Sequence, residues 1–200
     1  NFGVNTRALP LHNITQIVCG NACRIDWNTV CPHTAEEEVF VFGNPPYLGS
    51  KLQSKEQKED ISFVFHGIKN SKILDYIANW FYLGSQYIKD SKAKFAFVST
   101  NSICQGEQVA VLWTQILKET EEILFAHTSF KWSNNAKNNA GVTVVIIGVG
   151  NKTTQSKFLF NEKQKISAEN ISPYLSVGSR SIVQKSRGCR RNYSKNTKHN

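Results

Sequence analysis

The stretch Val39-Phe40-Val41-Phe42-Gly43-Asn44-Pro45-Pro46-Tyr47 decides how this chain is read. Its first five residues are apolar or small, with alternating valine and phenylalanine. They predict a short strand, Val39–Gly43, buried within a parallel sheet. Two successive prolines then fix φ and remove two backbone donors, so the strand must stop in a rigid turn. An amide side chain, Asn44, stands at the carboxyl end of that strand, and an aromatic ring, Tyr47, follows three residues on. Open α/β sheets bind their ligands at that end. The Asn44 side-chain oxygen and the Pro45 carbonyl can both accept hydrogen bonds from one exocyclic amino group, and Tyr47 can stack on the ring that carries it. Such a turn suits a planar amine whose lone pair is freed to attack an electrophilic methyl group. The plainer reading of the same residues is a turn that merely ends a strand.

Outward from this turn, strand and helix patterns alternate. Ile14–Cys19 is a short strand candidate ending at Gly20-Asn21, and the polar stretch Trp27–Glu38, with Pro32, is a connection. Leu48–Asp60, polar and lysine-rich, predicts a mobile loop over the site, and Ile61–Ile68 suits a strand or a helix equally. Ser71 reads as the N-cap of an amphipathic helix on which Ile73, Leu74, Ile77, Trp80, Phe81, Gly84 and Ile88 recur at helical spacing. Phe95–Ser99 is the next buried strand. Gly106–Glu119 predicts a helix with Val109, Leu112, Trp113 and Ile116 inward. Ile123–Ala126 and the β-branched run Val142–Val149 are strands, and Phe158–Phe160 begins another. The alternation predicts an α/β fold with a mainly parallel sheet and helices on both faces. Gly148-Val149-Gly150 is the plain end of a strand, since no amphipathic helix follows to present its N-terminus to a phosphate.

Composition narrows the function classes. With 200 residues, 40% of them hydrophobic, the chain can bury one core. No apolar run approaches the ~20 residues of a membrane span, and no signal peptide opens the chain. Five cysteines at irregular spacing predict reduced thiols and a cytoplasmic setting rather than a disulfide framework. Cys19, Cys23, Cys31 and His33 fit no paired zinc-finger spacing, so no metal is expected. The net charge of +9 is concentrated at one end: residues 179–200 hold seven of the 24 Lys and Arg and none of the 15 Asp and Glu. That tail reads as disordered, although its charge suits phosphate contact. The chain has no methionine and begins at Asn1, which points to a fragment or a gene remnant.

Four segments carry a resemblance: Ile17-Val-Cys-Gly-Asn-Ala-Cys-Arg-Ile-Asp-Trp27, Gly43-Asn-Pro-Pro-Tyr-Leu-Gly-Ser50, Phe97-Val-Ser-Thr-Asn-Ser-Ile-Cys-Gln-Gly-Glu-Gln108 and Phe130-Lys-Trp-Ser-Asn-Asn-Ala-Lys137. In this order they resemble the methyltransferase core of the large, single-chain MmeI-like type II restriction-modification proteins. These are adenine-N6 DNA methyltransferases that use S-adenosyl-L-methionine. The similarity runs from about residue 8 to about residue 185. It implies a partial Rossmann-like methyltransferase fold whose last two strands form an antiparallel pair.

The resemblance also implies roles and partners. Asn44, Pro45, Pro46 and Tyr47 form the catalytic turn, with Tyr47 on one face of an adenine flipped out of duplex DNA. Phe130 or Trp132, just after a strand, covers the other face. Asn21 stands where an Asp usually contacts the cofactor adenine, a departure that leaves the cofactor contact open between Asn21 and Asp26, and the plainer reading of Asp26 is a loop or capping residue. Residues 1–170 correspond to the carboxyl-terminal part of the catalytic domain, and 171–200 to a linker or the start of a target-recognition region. The glycine-rich loop that holds the methionine part of the cofactor precedes this segment in the family. The chain alone is therefore expected to bind S-adenosyl-L-methionine weakly or not at all and to be inactive. Protein-glutamine N-methyltransferases share the Asn-Pro-Pro-Tyr turn and give the alternative activity; a non-catalytic gene remnant is the other.

Overall fold

The computed structural model describes residues 17–118, 120–132, 142–178 and 182. In chain order its elements are α1 (Trp27–Val30), β1 (Phe40–Gly43), α2 (Lys55–Val64), α3 (Ala78–Ile88), β2 (Lys94–Thr100), α4 (Gly106–Ile116), β3 (Glu121–Trp132), β4 (Val142–Asn151), β5 (Lys157–Phe160) and β6 (Lys165–Ala168). Short 3-10 turns span Ser71–Ile73 and Asn101–Cys104. The six strands form one sheet in the order β1-β2-β4-β3-β5-β6. Strands β1, β2, β3 and β5 run the same way, while β4 and β6 oppose them. Four of the six strands share a direction, yet three of the five pairings are antiparallel, so the sheet is mixed where the sequence predicts a mainly parallel one.

The antiparallel pairing is distributed differently from the expectation. The crossover through α4 leaves a strand-wide gap between β2 and β3, and β4 returns into that gap, pairing antiparallel with both. A run such as Val142–Val149 suits this central place, because both its edges are paired and most of its side chains are buried. β5 pairs with β3 and with β6, so the last antiparallel pair is β5–β6 rather than β4–β5. Ile171 and Ser172, just past the predicted domain end, are buried, and Ile171 bridges to Val177. The basic tail, apart from Ile182, lies outside the described residues.

An aromatic cluster joins helices to sheet. Phe81 of α3 meets Phe95 at 5.8 Å, Phe97 at 5.5 Å and Trp113 of α4 at 5.7 Å, all near edge-to-face. Phe95 and Phe97 are two apart on β2 and so share a face. Alternation buries Phe95, Phe97 and Ser99 and leaves Ala96 and Val98 half-buried. On α4 the buried residues are Val109, Leu112, Trp113 and Ile116, as their spacing predicts. Gly148 and Gly150 are among the last four residues of β4, the strand end that the sequence predicts. A Cβ on Gly148 would sit 2.1 Å from Phe125 Cε1, and one on Gly150 2.7 Å from Leu124 Cδ1. These glycines make room for cross-strand side chains.

Several expectations change. The predicted buried strand Val39–Gly43 becomes β1, but it lies at the sheet edge, with Phe40 60% and Phe42 82% exposed. Its composition suits a central strand, yet among the described residues only one of its edges is paired. Residues 17–19 of the candidate strand Ile14–Cys19 are not extended in a ladder, and Ile17 and Val18 are exposed; residues 14–16 lie outside the described residues. The predicted mobile loop Leu48–Asp60 contains the start of α2, which runs into the ambiguous Ile61–Ile68 stretch. Ser54 caps Gln57 N, and the Gln57 side chain accepts from Ser54 N, a reciprocal capping box. Ser71 begins a 3-10 turn instead of the long helix, because Asn70 is left-handed at φ 64° and the chain turns again before α3.

Asp60 of α2 ties the amino-terminal turn to this framework. Its carboxylate accepts from Asn21 Nδ2 (2.9 Å), Arg24 Nε (2.7 Å) and Tyr76 Oη (2.8 Å). Burial alone would raise its pKa, but these three hydrogen bonds and the Arg24 charge outweigh it and hold the carboxyl below its ordinary value. The same burial, with the Asp60 charge, pushes the Cys23 thiol up to about 11. Among the described residues no helix is long and apolar enough to cross a membrane.

Two outcomes are expected. Gly148→Ala should lower stability by at least the ~1–3 kcal/mol typical of overpacking, because a whole ring must move; urea unfolding of both chains measures it. Because the folded pKa of Asp60 is depressed, its contribution is complete above the ordinary carboxylate pKa and disappears as pH falls through the folded value. The melting-temperature gap between wild type and Asp60→Asn should therefore be full above the ordinary carboxylate pKa and narrow as pH is lowered below it.

Candidate active site

The site is built where β1 ends. β1 pairs parallel with β2 from Phe40↔Lys94 to Gly43↔Phe97 and stops there. Pro45 and Pro46 have no N–H with which to continue the ladder. Beyond Gly43 the Asn44 side chain is exposed, and among the described residues it makes no hydrogen bond. Pro45 is half-buried and Pro46 exposed. Tyr47 is half-buried and packs against the core, as does Leu48. The turn thus offers a free carboxamide beside a ring that is seated on the protein.

Leu48 closes the turn with both of its backbone groups engaged. Its N–H donates to Asp75 Oδ1 at 2.8 Å. Its carbonyl accepts from Tyr76 N at 3.0 Å and from Gln53 Nε2 at 2.9 Å. Gln53 Nε2 also donates to Leu74 O at 3.0 Å, so one buried amide spans the two segments. Asp75 Oδ2 faces the hydroxyls of Thr100 (3.2 Å) and Ser102 (3.1 Å), at and just beyond the carboxyl end of β2. These hydroxyls are also 2.7 Å from each other. Two protons serve three contacts, so two of the three are hydrogen bonds at any moment. Gln108 of α4 accepts from Asp75 N at 2.8 Å. Sequence reasoning left Asp75 inside a helix with no role. Its signal was an Asp three residues before Ala78, where helices begin.

Phe130 and Trp132 are not after a strand but within the last residues of β3. Phe130 is half-buried and meets His127 edge-to-face at 4.7 Å. Register across the sheet runs Thr100↔Val144 and Val144↔Phe130, so Phe130 lies level with the end of β2. β1, β2 and β3 run the same way. The Asn44 turn and Phe130 therefore share the carboxyl edge, three strand spacings or about 14 Å apart along it. Asn101 begins the 3-10 turn on the same edge.

Asn21 and Asp26 lie elsewhere, on the turn before α1. Asn21 donates to Asp60 and accepts from Cys23 N (2.9 Å), which leaves one N–H and one lone pair free of those bonds. Asp26 is exposed and caps α1 by accepting from Asn28 N at 2.9 Å. Lys55 and Lys58, predicted on a loop, stand on α2 and line a groove of about 520 Å³ with Lys72. Among the described residues no three His, Cys, Asp or Glu are grouped to hold a metal ion.

Residues 1–161 match a family model described as MmeI, DNA-methyltransferase domain. DNA methyltransferase A of Bacillus subtilis (strain 168) is 54% identical over 176 residues, which are 88% of this chain and 20% of that protein. The solved structure of the type IIL restriction-modification enzyme MmeI in complex with DNA matches with a TM-score of 0.78 and 38% identity, over 86% of this chain and 24% of that one. The chain spans about a fifth to a quarter of the length of these relatives. A match over most of its residues, joined to the sheet-edge turn described above, means that the chain belongs to the MmeI DNA-methyltransferase domain family.

Proposed function

We propose that this chain supplies the amine-grasping edge of a DNA methyltransferase, which transfers a methyl group to N6 of an adenine flipped out of duplex DNA within a restriction-modification system. The observation that carries the reading is the exposed, unpaired Asn44 carboxamide, held on a proline-locked turn at the carboxyl edge of the sheet. In that reading Asn44 Oδ1 and the Pro45 carbonyl accept the two N–H groups of the target amine. Accepting both draws hydrogen away from nitrogen as it becomes tetrahedral, which stabilises the transition state with dipoles already in place. A carboxamide is no base, so the proton released after attack passes to water. Pro46 stiffens the turn. Tyr47 stacks on one face of the base, offsetting part of the cost of unstacking it. Phe130 or Trp132 covers the opposite face from β3.

S-adenosyl-L-methionine, when bound, supplies the electrophilic methyl. The remaining N–H and lone pair of Asn21 match the donor and acceptor on an adenine edge, and Asp26 lies on the same turn. The groove lined by Lys55, Lys58 and Lys72, with Glu59 paired to Lys55, keeps a net positive charge that suits a phosphate backbone. The names of the relatives favour DNA over protein glutamine as substrate: one is called a DNA methyltransferase, and the other was solved in complex with DNA.

In the methyltransferase that contains this segment, Asn44→Ala should lower kcat by about 10²–10³, the usual effect of losing one oriented polar group at the reacting atom. Cofactor affinity, read by calorimetry, should be unchanged. Transfer of labelled methyl to duplex DNA, with N6-methyladenine identified after digestion, is the readout; retained activity, or label found only on protein, would overturn the reading. Tyr47→Ala should lose about 1–3 kcal/mol of transition-state binding, a 5- to 150-fold fall in kcat/KM. Its deficit should shrink when the target adenine faces a mismatch, because an unpaired base is easier to extrude.

A further inference from the structure

The geometry points to Asp75 as the positioning residue of the Asn44–Tyr47 turn, acting through the main chain of Leu48. The inference rests on the reading that this turn grasps the amine. Between Gly43, the last paired residue of β1, and Leu48, two of the four residues are prolines. They have no N–H to tie the turn to the sheet, and their φ angles are locked. The turn is therefore a stiff span whose place depends on its two ends. One end is the β1 ladder. The other is Leu48, whose N–H is held by Asp75 and whose carbonyl is held by Tyr76 N and Gln53.

Asp75 is unusual for a structural carboxylate. It is 3% exposed, and among the described residues no Lys, Arg or His pairs with it. A buried charge without a counter-ion is costly unless dipoles surround it. Here they come from four groups: the Leu48 N–H after the turn, the Ile77 N–H just before α3 (3.3 Å), the Thr100 hydroxyl at the end of β2 and the Ser102 hydroxyl in the 3-10 turn that follows it. The carboxylate thus references the turn to the neighbouring strand end on the same sheet edge. Asp60 contrasts with it: that carboxylate has Arg24 as partner and braces the amino-terminal turn instead.

The test uses the methyltransferase that contains this segment, with duplex DNA carrying 2-aminopurine at the target position. Asp75→Ala should lower kcat by about 10–100-fold, the scale of a reacting group displaced by about 1 Å. KM for DNA and cofactor affinity should stay within about threefold of wild type, because the phosphate and cofactor contacts are untouched, while the 2-aminopurine signal of base flipping should fall together with kcat, because Tyr47 moves with the turn. Asp75→Asn retains an oxygen for Leu48 N and can donate to the hydroxyls, so it should restore kcat to within about threefold. An Asp75→Ala protein that melts cooperatively with wild-type kcat overturns the proposal, as does one in which only KM rises or one that Asn fails to rescue. If Asp75→Ala does not fold, Gln53→Leu, which releases the Leu48 carbonyl, decides: a kcat loss supports the proposal and an unchanged kcat overturns it. Asn44→Ala run in parallel separates the two ideas, since full activity there refutes the amine reading itself.

Discussion

Two consecutive residues without a backbone donor set the terms for everything at this sheet edge. A strand is held in register by its N–H and C=O groups, and Pro45 and Pro46 contribute no N–H. β1 therefore releases the chain at Gly43, and the chain is caught again only at Leu48. The released residues gain rigidity from proline rings rather than from a ladder. That leaves the Asn44 amide and the Pro45 carbonyl unclaimed by secondary structure while keeping them still. A loop of ordinary residues would have to satisfy its own donors and would bury or occupy these groups.

Two buried carboxylates brace the surroundings by different means. Asp60 joins the Asn21–Arg24 turn to Tyr76, and hydrogen bonds plus the Arg24 charge keep it ionised despite burial. Asp75 joins the exit of the Asn44 turn to the end of β2 with neutral dipoles alone. They sit on either side of Tyr76, whose backbone holds Leu48 and whose hydroxyl holds Asp60. Residues 74–76 are thus the common support of the Asn44 turn and the Asn21–Arg24 turn.

Topology then decides what faces the turn. Had the chain passed directly from β2 to an adjacent β3, Phe130 would stand one strand spacing closer. The crossover through α4 and the return of β4 between them widen the edge and keep β3 parallel to β1. Glycines 148 and 150 let this central hairpin close, since each lies under a side chain of β3.

The sequence by itself determined what short-range periodicity and residue chemistry can carry. The inward stripe Val109, Leu112, Trp113 and Ile116 follows from 3.6-residue spacing. The alternation of β2 and the β-branched run of β4 follow from the strand period and propensity. The Asn44-to-Tyr47 turn follows from what proline lacks. The capping box of Ser54 and Gln57 was also written locally, but the lysine-rich polarity of the segment concealed it. Only the tertiary structure decided where each strand stands in the sheet, because a strand's sequence records how buried it prefers to be and not which neighbour provides the ladder. Hence β1 has an interior composition at an edge, β4 lies between β2 and β3, and Phe130 falls within a strand. Most of the role of Asp75 was hidden for the same reason: apart from Ile77 N, its partners lie 25 to 33 residues away, and long-range hydrogen bonds leave no period in the chain.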